Sequence, residues 1–273
     1  MSACLRDAVP RSTTAPTSAT HTRRPVAGQP AAHTHQPVFH PPTRTRVRAR
    51  SHLQHRGSTT HPHTIRGFIM KLLHLDSSIL GGYSASRQLS AATVAKLQSG
   101  NSDVAVTYRD LAAEPLAHLS GAHLAAQQNP TGDQSPALAA ELATSATVLQ
   151  EFLDADTVVI GVALYNFTIP TQLKAWIDRV LVAGKTFRYN AQGVPEGLAG
   201  NKRVILLVAR GGFYGAGSPM ASLEHAETYM RTALGFVGVH APEVIVAEGL
   251  ATGADARQAG IASAQQQIDA LAA

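Results

Sequence analysis

The sequence is poor in cysteine, and its one cysteine, Cys4, lies close to the N-terminus. A disulfide framework is therefore excluded, and residues 70–273 contain neither a thiol nucleophile nor a cysteine ligand for a metal. No run of about 18 or more apolar residues is present, so no transmembrane helix is expected. The N-terminus also lacks the apolar core of a secretory signal. These absences favour a protein of the reducing cytoplasm without a membrane partner.

Motifs that mark several other classes of protein are missing as well. The chain has no G-x-G-x-x-G turn and no P-loop, which disfavours a dinucleotide-binding Rossmann domain and a nucleoside triphosphatase. It has no G-x-S-x-G elbow, so a serine hydrolase is disfavoured too. No spacing of His, Cys, Asp and Glu is typical of a metal centre, and we assign no metal site and no catalytic side chain.

The positive charge of the chain is concentrated in one segment. Residues 1–69 hold ten arginines, one acidic residue (Asp7), eight of the 13 histidines and eight of the 15 prolines. Residues 70–273 are left with 13 basic and 17 acidic residues, a net charge of −4, although the whole chain carries +5. The basic character therefore belongs to the N-terminal segment, and nucleic acid is not expected as a partner of the rest.

The first 69 residues are predicted to be a disordered extension. They are rich in Arg, Pro, Thr and His, and their apolar residues show no period, so they cannot bury enough apolar surface to offset the entropy of ordering. Three interpretations remain open. The segment is an acid-poor targeting peptide, an arginine-rich arm that binds nucleic acid or acidic lipid, or an over-extended start before Met70.

Apolar runs that alternate with helical patterns predict an α/β domain over residues 70–273. The stretch from Val158 to Ala163 is apolar and β-branched, which is typical of a strand buried on both faces of a parallel sheet. The predicted fold is a doubly wound, flavodoxin-like sheet of five parallel strands in the order 2-1-3-4-5, with helices on both faces. The predicted strands are 71–76, 104–111, 158–163, 203–209 and 244–248, and the predicted helices are 87–97, 137–154, 170–181, 220–234 and about 255–272. Residues 117–136 show no firm period, and their histidines, His118 and His123, are interpreted as surface residues without a role.

Three of the predicted strands end in loops that suit a ligand, because open α/β sheets bind ligands at the carboxyl ends of their strands. Residues 77–86 combine serine and glycine before a helix, which is typical of an anion site or, alternatively, of a simple helix cap. Residues 164–167 place two aromatic rings around an amide. This arrangement suits the binding of a flat heteroaromatic ring; alternatively, the two rings only pack in the hydrophobic core. Residues 210–215 are glycine-rich, so that backbone can approach a ligand closely.

These three segments, in this order, resemble the FMN-dependent NADH azoreductase and NADH:quinone oxidoreductase family. The matching segments are Ser-Ser-Ile-Leu-x-Gly-Tyr-Ser-x-Ser from Ser77, Tyr-Asn-Phe from Tyr165 followed by Gln-Leu-Lys from Gln172, and Arg-Gly-Gly from Arg210. The resemblance runs from Met70 to the C-terminus. The chain departs from the family pattern at Ala209, where relatives have Ser, and at Leu164, where they often have Met; a backbone contact survives both changes, but a hydroxyl contact from position 209 does not.

The resemblance implies which residues contact FMN. It assigns the phosphate to Ser78, Ser84, Ala85 (through its backbone) and Ser86. It assigns the flavin ring to Leu164, Tyr165, Asn166, Phe167, Ala209, Arg210, Gly211 and Gly212. Phe187 is a candidate wall of the substrate pocket, although it could equally pack in an ordinary hydrophobic cluster, and Tyr214 is a second candidate.

The resemblance also implies the activity and the assembly. An FMN-dependent oxidoreductase of this kind uses NADH to reduce quinones and azo compounds by two-electron, ping-pong hydride transfer through N5 of the flavin. The family is homodimeric, with one FMN per subunit and active sites at the interface. A flavodoxin-like electron carrier that does not oxidise NADH is the alternative, and the serine-rich form of residues 77–86 disfavours it.

Overall fold

The structure is a computed structural model that describes residues 69–101, 103–129, 132 and 134–272. The predictions for residues 1–68, including disorder, targeting and nucleic-acid binding, therefore lie outside the described residues. Among the described helices, none combines the length and the apolar character needed to cross a bilayer.

Strands and helices alternate along the described chain. The strands are β1 (Met70–Asp76), β2 (Val104–Asp110), β3 (Thr157–Ala163), β4 (Phe187–Tyr189), β5 (Pro195–Gly197), β6 (Arg203–Ala209) and β7 (Glu243–Ala247). The α-helices are α1 (Ala85–Gly100), α2 (Gly121–Gln128), α3 (Pro136–Asp154), α4 (Thr171–Val180), α5 (Ala226–Phe236) and α6 (Ala254–Asp269).

Five of these strands form one parallel sheet in the order β2-β1-β3-β6-β7. The predicted flavodoxin-like order is confirmed, because the third, fourth and fifth strands of the prediction are β3, β6 and β7. The register pairs Ala163 of β3 with Ala209 of β6, so these two strands end side by side. The loops that follow β3 and β6 therefore leave the sheet at the same edge.

The sheet has a hydrophobic core on each face. All seven residues of β3 are buried, as expected for the central strand of a parallel sheet. In β1 the side chains alternate: Leu73 and Leu75 join the cluster that contains residues of α3, α4 and α5, whereas Leu72 joins the cluster that contains residues of α1 and α6. Burial of each such side chain contributes roughly 1.5–3 kcal/mol. The two cores fix the sheet, and through it the position of the loops at its carboxyl edge.

Three elements, β4, β5 and α2, were absent from the predictions. The antiparallel pair β4–β5 follows α4, and α2 lies within residues 117–136, where no period was seen. His123 of α2 is 1% exposed, so its interpretation as a surface residue was wrong. Its burial lowers the pKa of the imidazole. Of the turn-rich residues beyond α2, positions 130, 131 and 133 lie outside the described part of the chain.

The predicted helix over 220–234 was wrong at its start. Residues Ala221–Leu223 form a single 3₁₀ turn, Glu224 is extended, and α5 begins at Ala226. The carboxylate of Glu224 accepts hydrogen bonds from the backbone N–H groups of Ala226 (3.1 Å) and Glu227 (2.9 Å). Glu224 therefore caps α5 and sets its first turn. The last helix, predicted to reach about residue 272, ends at Asp269.

Candidate functional site

The serine loop, residues 77–86, leads from β1 into α1. Ser78 and Ser86 are 0% exposed and Ser84 is 2% exposed, although all three are polar. The hydroxyl oxygens of Ser84 and Ser86 lie 3.1 Å apart. Ser84 is also the N-cap of α1 and accepts a hydrogen bond from the backbone N–H of Arg87 at 3.3 Å. The predicted capping role is therefore present, and it brings two buried hydroxyls together at the N-terminus of a 16-residue helix.

The electrostatics of this helix end favour an anion. The first turn of α1 contains no acidic residue, and Ala85 supplies its first backbone N–H. The N-terminal N–H groups and the helix dipole place partial positive charge there. Buried hydroxyls beside such an end are donors for a phosphate group.

The aromatic turn, residues 165–168, follows β3. The backbones of Tyr165 and Thr168 are paired through two hydrogen bonds, Tyr165 N to Thr168 O at 2.9 Å and Thr168 N to Tyr165 O at 3.1 Å. The two residues between them have positive φ, 48° at Asn166 and 76° at Phe167. Asparagine tolerates this left-handed backbone, whereas at Phe167 it costs on the order of 1 kcal/mol or more. The tight turn leaves the ring of Phe167 44% exposed.

A hydrogen bond joins the serine loop to the aromatic turn. The hydroxyls of Ser78 and Tyr165 lie 2.7 Å apart. Behind them, Ser77 donates its hydroxyl hydrogen to the carbonyl of Gly161 at 3.0 Å. The structure therefore brings together the segments that the sequence analysis assigned to the phosphate and to the flavin ring.

The glycine segment, residues 209–215, lies beside the aromatic turn. The backbone N–H of Leu164 donates to the carbonyl of Ala209 at 2.9 Å, and the backbone N–H of Arg210 donates to the carbonyl of Ala247 at 2.9 Å. The sheet pattern thus continues one residue past both β3 and β6. Gly211 and Gly212 come next and are partly exposed.

The side chain of Arg210 is buried among three carboxylates. Its guanidinium lies 2.6 Å from Glu248, 2.7 Å from Glu227 and 3.4 Å from Glu224. Glu248 also accepts the backbone N–H groups of Tyr214 (3.2 Å) and Gly215 (3.3 Å). Both Nη atoms of Arg210 are thus paired with carboxylates, whereas its buried Nε has no hydrogen-bond partner among the described residues. The ion pairs hold the glycine segment against the start of α5 and the end of β7.

The two candidate substrate-pocket residues lie in different surroundings. The ring of Phe187 packs on Phe236, with centroids 4.6 Å apart, and on Tyr189 at 5.8 Å. Tyr214 lies over the glycine segment, since a Cβ atom on Gly212 would be 3.3 Å from its ring. Tyr214 is therefore next to the predicted ring-binding backbone, and Phe187 belongs to an aromatic cluster between β4 and α5. Their role in a substrate pocket stays a prediction.

Sequence reasoning missed the charged residues that support these loops. Arg87 forms a bidentate ion pair with Asp110 at the end of β2, and Glu248 follows β7. In each of these ion pairs the two residues are far apart in the sequence, and their spacing matches no motif. The one available signal is position, because Asp110 and Glu248 both stand where a predicted strand ends.

Residues 70–272 match the family described as having a flavodoxin-like fold. The chain belongs to this family. The match spans most of the chain and covers the serine loop, the aromatic turn and the glycine segment together. The resemblance that the sequence motifs indicated is confirmed.

Three known proteins are similar to this chain over 99–100% of their own length. An FMN-dependent NADH:quinone oxidoreductase of Xanthomonas campestris pv. campestris is 76% identical over 202 residues, which are 74% of this chain and 99% of that protein. FMN-dependent NADH:quinone oxidoreductase 2 of Bradyrhizobium diazoefficiens is 58% identical over 205 residues, 75% of this chain and 100% of that protein. The crystal structure of an azoreductase from Bacillus anthracis str. Sterne is 31% identical with a TM-score of 0.66, and the match covers 74% of this chain and 100% of that one.

Proposed function

We propose that this chain is a cytoplasmic, FMN-dependent oxidoreductase that uses NADH to reduce quinones and azo compounds. The observation that carries the proposal is the convergence of the serine loop, the aromatic turn and the glycine segment at one edge of the sheet. The names of relatives that are 76% and 58% identical support the same activity. The azoreductase structure supports the azo compounds as acceptors.

The residues present fit the phosphate end of FMN. The buried hydroxyls of Ser78, Ser84 and Ser86, with the backbone of Ala85, would hold the phosphate at the N-terminus of α1. A phosphate group brings acceptor oxygens, and this end of the helix offers donors, with no acidic residue in its first turn.

The residues present also fit a flat ring with polar edges. Leu164 to Phe167 would border the ring, with Asn166 able to donate and accept hydrogen bonds. The Nη atoms of Arg210 are paired with three carboxylates, and its backbone N–H donates to Ala247. Gly211 and Gly212 would therefore offer their N–H groups to the ring edge. Donors at that edge stabilise negative charge that develops on reduction.

The bound cofactor would supply the redox chemistry, namely two-electron, ping-pong hydride transfer through N5 from NADH to the acceptor. The chain itself binds the phosphate, orients the ring and leaves one side of the aromatic turn open to solvent. Hydride transfer needs no general base from the protein, so no side chain is assigned as catalytic.

We propose that the enzyme is a homodimer with one FMN per subunit. Large apolar side chains remain exposed on the loops around the site: Leu80 is 54%, Tyr83 87% and Phe213 53% exposed. A second subunit would cover such side chains and close the open side of the site, with Phe187 and Tyr214 as walls of the substrate pocket. Light scattering of the purified protein would test this, and a monomer at micromolar concentration would refute it.

An absorbance spectrum of the purified protein, followed by anaerobic addition of NADH, tests the proposed activity. We expect a flavin spectrum that bleaches with NADH and recovers when a quinone or an azo dye is added. A flavin that binds but stays oxidised with NADH would identify an electron carrier instead. Absence of flavin after FMN has been supplied would refute both. Titration with NADPH alongside NADH measures the preference between the two nucleotides.

A further inference from the structure

The side chain of Arg87 fixes the serine loop by binding the backbone carbonyl of Ser78. Arg87 lies in the first turn of α1, and its guanidinium donates from Nε (3.0 Å) and Nη2 (2.8 Å) to the backbone carbonyl of Ser78. It also donates from Nη1 (2.7 Å) and Nη2 (2.6 Å) to the two carboxylate oxygens of Asp110. One side chain thus connects the start of α1, the loop after β1 and the end of β2.

The guanidinium of Arg87 has no donor left for a ligand. Its remaining N–H, on Nη1, points to the hydroxyl of Tyr108 at 3.2 Å. With Nε and Nη2 on Ser78 and both Nη atoms on Asp110, all five donors of an arginine are in use. Arg87 would therefore act on a bound phosphate only through the loop that it holds.

The partners of Arg87 are themselves fixed. Asp110 accepts the backbone N–H groups of Ala112 (3.0 Å) and Ala113 (3.1 Å), and the hydrogen bond from Arg87 lowers the pKa of its carboxyl. Tyr108 donates its hydroxyl hydrogen to Asp76 at 3.1 Å. Burial raises the pKa of Tyr108 to about 12, so this hydroxyl stays protonated at neutral pH. Asp110 and Tyr108, the side chains that bind Arg87, therefore keep one hydrogen-bonding arrangement around neutral pH.

The carbonyl that Arg87 binds belongs to Ser78, the residue that connects the serine loop to the aromatic turn. The hydroxyl of Ser78 lies 2.7 Å from that of Tyr165 and accepts the backbone N–H of Leu80 at 3.3 Å. Since the carbonyl and the side chain of Ser78 share one backbone, loss of the contact with Arg87 would let this hydroxyl shift. Donors held in place bind an anion better than donors that must first be ordered.

We propose that Arg87 is a positioning residue that orders the serine loop for the phosphate of FMN, and that it thereby sets the preference of the protein for FMN over riboflavin. This inference rests on the proposed function, because it assumes that the serine loop binds the phosphate. Riboflavin has the same ring without the phosphate, so it separates an effect on the serine loop from an effect on the ring site.

The test measures flavin binding to the apoprotein by quenching of flavin fluorescence, with FMN and riboflavin in parallel. Arg87→Lys keeps the positive charge but loses the planar fork that reaches Ser78 and Asp110 together. Loss of charge-assisted hydrogen bonds predicts an FMN dissociation constant raised roughly tenfold to a hundredfold. The riboflavin dissociation constant should change less than about threefold, since the ring contacts remain.

Arg109 provides a matched control. It forms a bidentate pair with Glu151 at 2.8 and 2.6 Å, and its side chain is 14% exposed, compared with 15% for Arg87. This pair joins β2 to α3 and touches neither the serine loop nor the aromatic turn. Arg109→Lys should leave both dissociation constants unchanged.

Each outcome decides the proposal. Equal weakening of FMN and riboflavin in Arg87→Lys, or unchanged FMN affinity, would overturn it while leaving the proposed function intact. A wild-type protein that binds no FMN would refute the proposed function and this inference with it. If Arg87→Lys does not fold, Arg87→Gln takes its place with the same expected selective loss. Failure of both variants to fold would show a folding role and overturn the positioning role.

Discussion

The serine loop and the aromatic turn, which we propose bind opposite ends of the cofactor, are built in opposite ways. In the serine loop, Ser78, Ser84 and Ser86 are at most 2% exposed. Arg87 fixes this loop by donating to the backbone carbonyl of Ser78. In the aromatic turn, Asn166 and Phe167 have left-handed backbone, and Phe167 is 44% exposed. A buried, ordered pocket suits a group that stays in place during every turnover. An open turn would suit a ring whose other face meets NADH and then the acceptor, as the proposed function requires.

The largest expected effect comes from removing two hydroxyls of the serine loop. In the double variant Ser84→Ala with Ser86→Ala, we expect FMN affinity to fall by roughly a hundredfold or more, because each hydrogen bond to a charged group is worth about 1.5–3 kcal/mol. Riboflavin affinity should fall little. Fluorescence titration of the apoprotein with both flavins measures the ratio.

The control for this variant is its own stability. Ser84 caps α1, and loss of the cap costs about 1 kcal/mol. Urea unfolding should show a decrease of that size, which leaves the protein folded at 25 °C. If both flavins lost affinity in parallel, the serine loop would not be the phosphate site, and the contrast between the two loops would fail.

A smaller effect is expected in the aromatic turn. Phe167→Ala should weaken FMN and riboflavin equally, by up to about tenfold, because an aromatic contact is worth roughly 0.5–1.5 kcal/mol and both flavins have the ring. The free energy of unfolding should fall by less than about 1 kcal/mol, since the side chain is half-exposed. Phe152→Ala provides the contrast, because the ring of Phe152 is 0% exposed in the core. Loss of that ring should lower the free energy of unfolding by about 3–5 kcal/mol. A selective loss of FMN in Phe167→Ala would contradict the assignment of this turn to the ring.

The smallest effect concerns pH, through a histidine beneath the serine loop. His74 is 8% exposed, and burial lowers its pKa below the ordinary value of 6.5 even though nearby Asp76 opposes the shift. The unfolded chain therefore takes up a proton near pH 6.5 before the folded chain does. Stability is fully present above pH 6.5 and falls as the pH drops from there towards the folded-state pKa.

The expected loss attributable to His74 between pH 7.5 and pH 6 is less than about 1 kcal/mol. Urea unfolding at both pH values measures it, and His74→Leu should show a smaller decrease. His240, which is exposed, offers the comparison His240→Leu. An unchanged pH dependence in His74→Leu would show that His74 has no part in it; burial lowers the pKa of His123 as well, so that residue would be examined next.

The strands could be predicted from the sequence because each has a local apolar pattern, and their order followed from the doubly wound fold that alternating strands and helices indicate. The apolar run of β3 and the predicted strand 203–209 carry their own signal, and parallel strands necessarily place their following loops at one edge. The strands β4 and β5 could not be predicted, since each has three residues and β5 contains proline and glycine. Helix α2 has eight residues, too few for a clear period.

The supporting charges were missed for a different physical reason. Arg87 and Asp110 are 23 positions apart, and Arg210 and Glu248 are 38 apart. Their pairing follows from the order of strands, which brings the ends of β1, β2, β6 and β7 to one edge. A sequence pattern contains no distance of that kind. The start of α5 was also misplaced, because Glu224 caps it with a side chain that the helical period does not reveal.

The hydrogen bond between Ser78 and Tyr165 has a consequence for synthesis of the chain, because it joins residues 87 positions apart. The glycine segment comes later still, after β6. On the ribosome, the serine loop leaves the exit tunnel long before its partners exist, and contacts of such long range form slowly. The site can assemble only when the chain has been made at least through β6 and the central strands have paired. Capture of the proposed flavin would thus be a late event that follows translation of most of the domain.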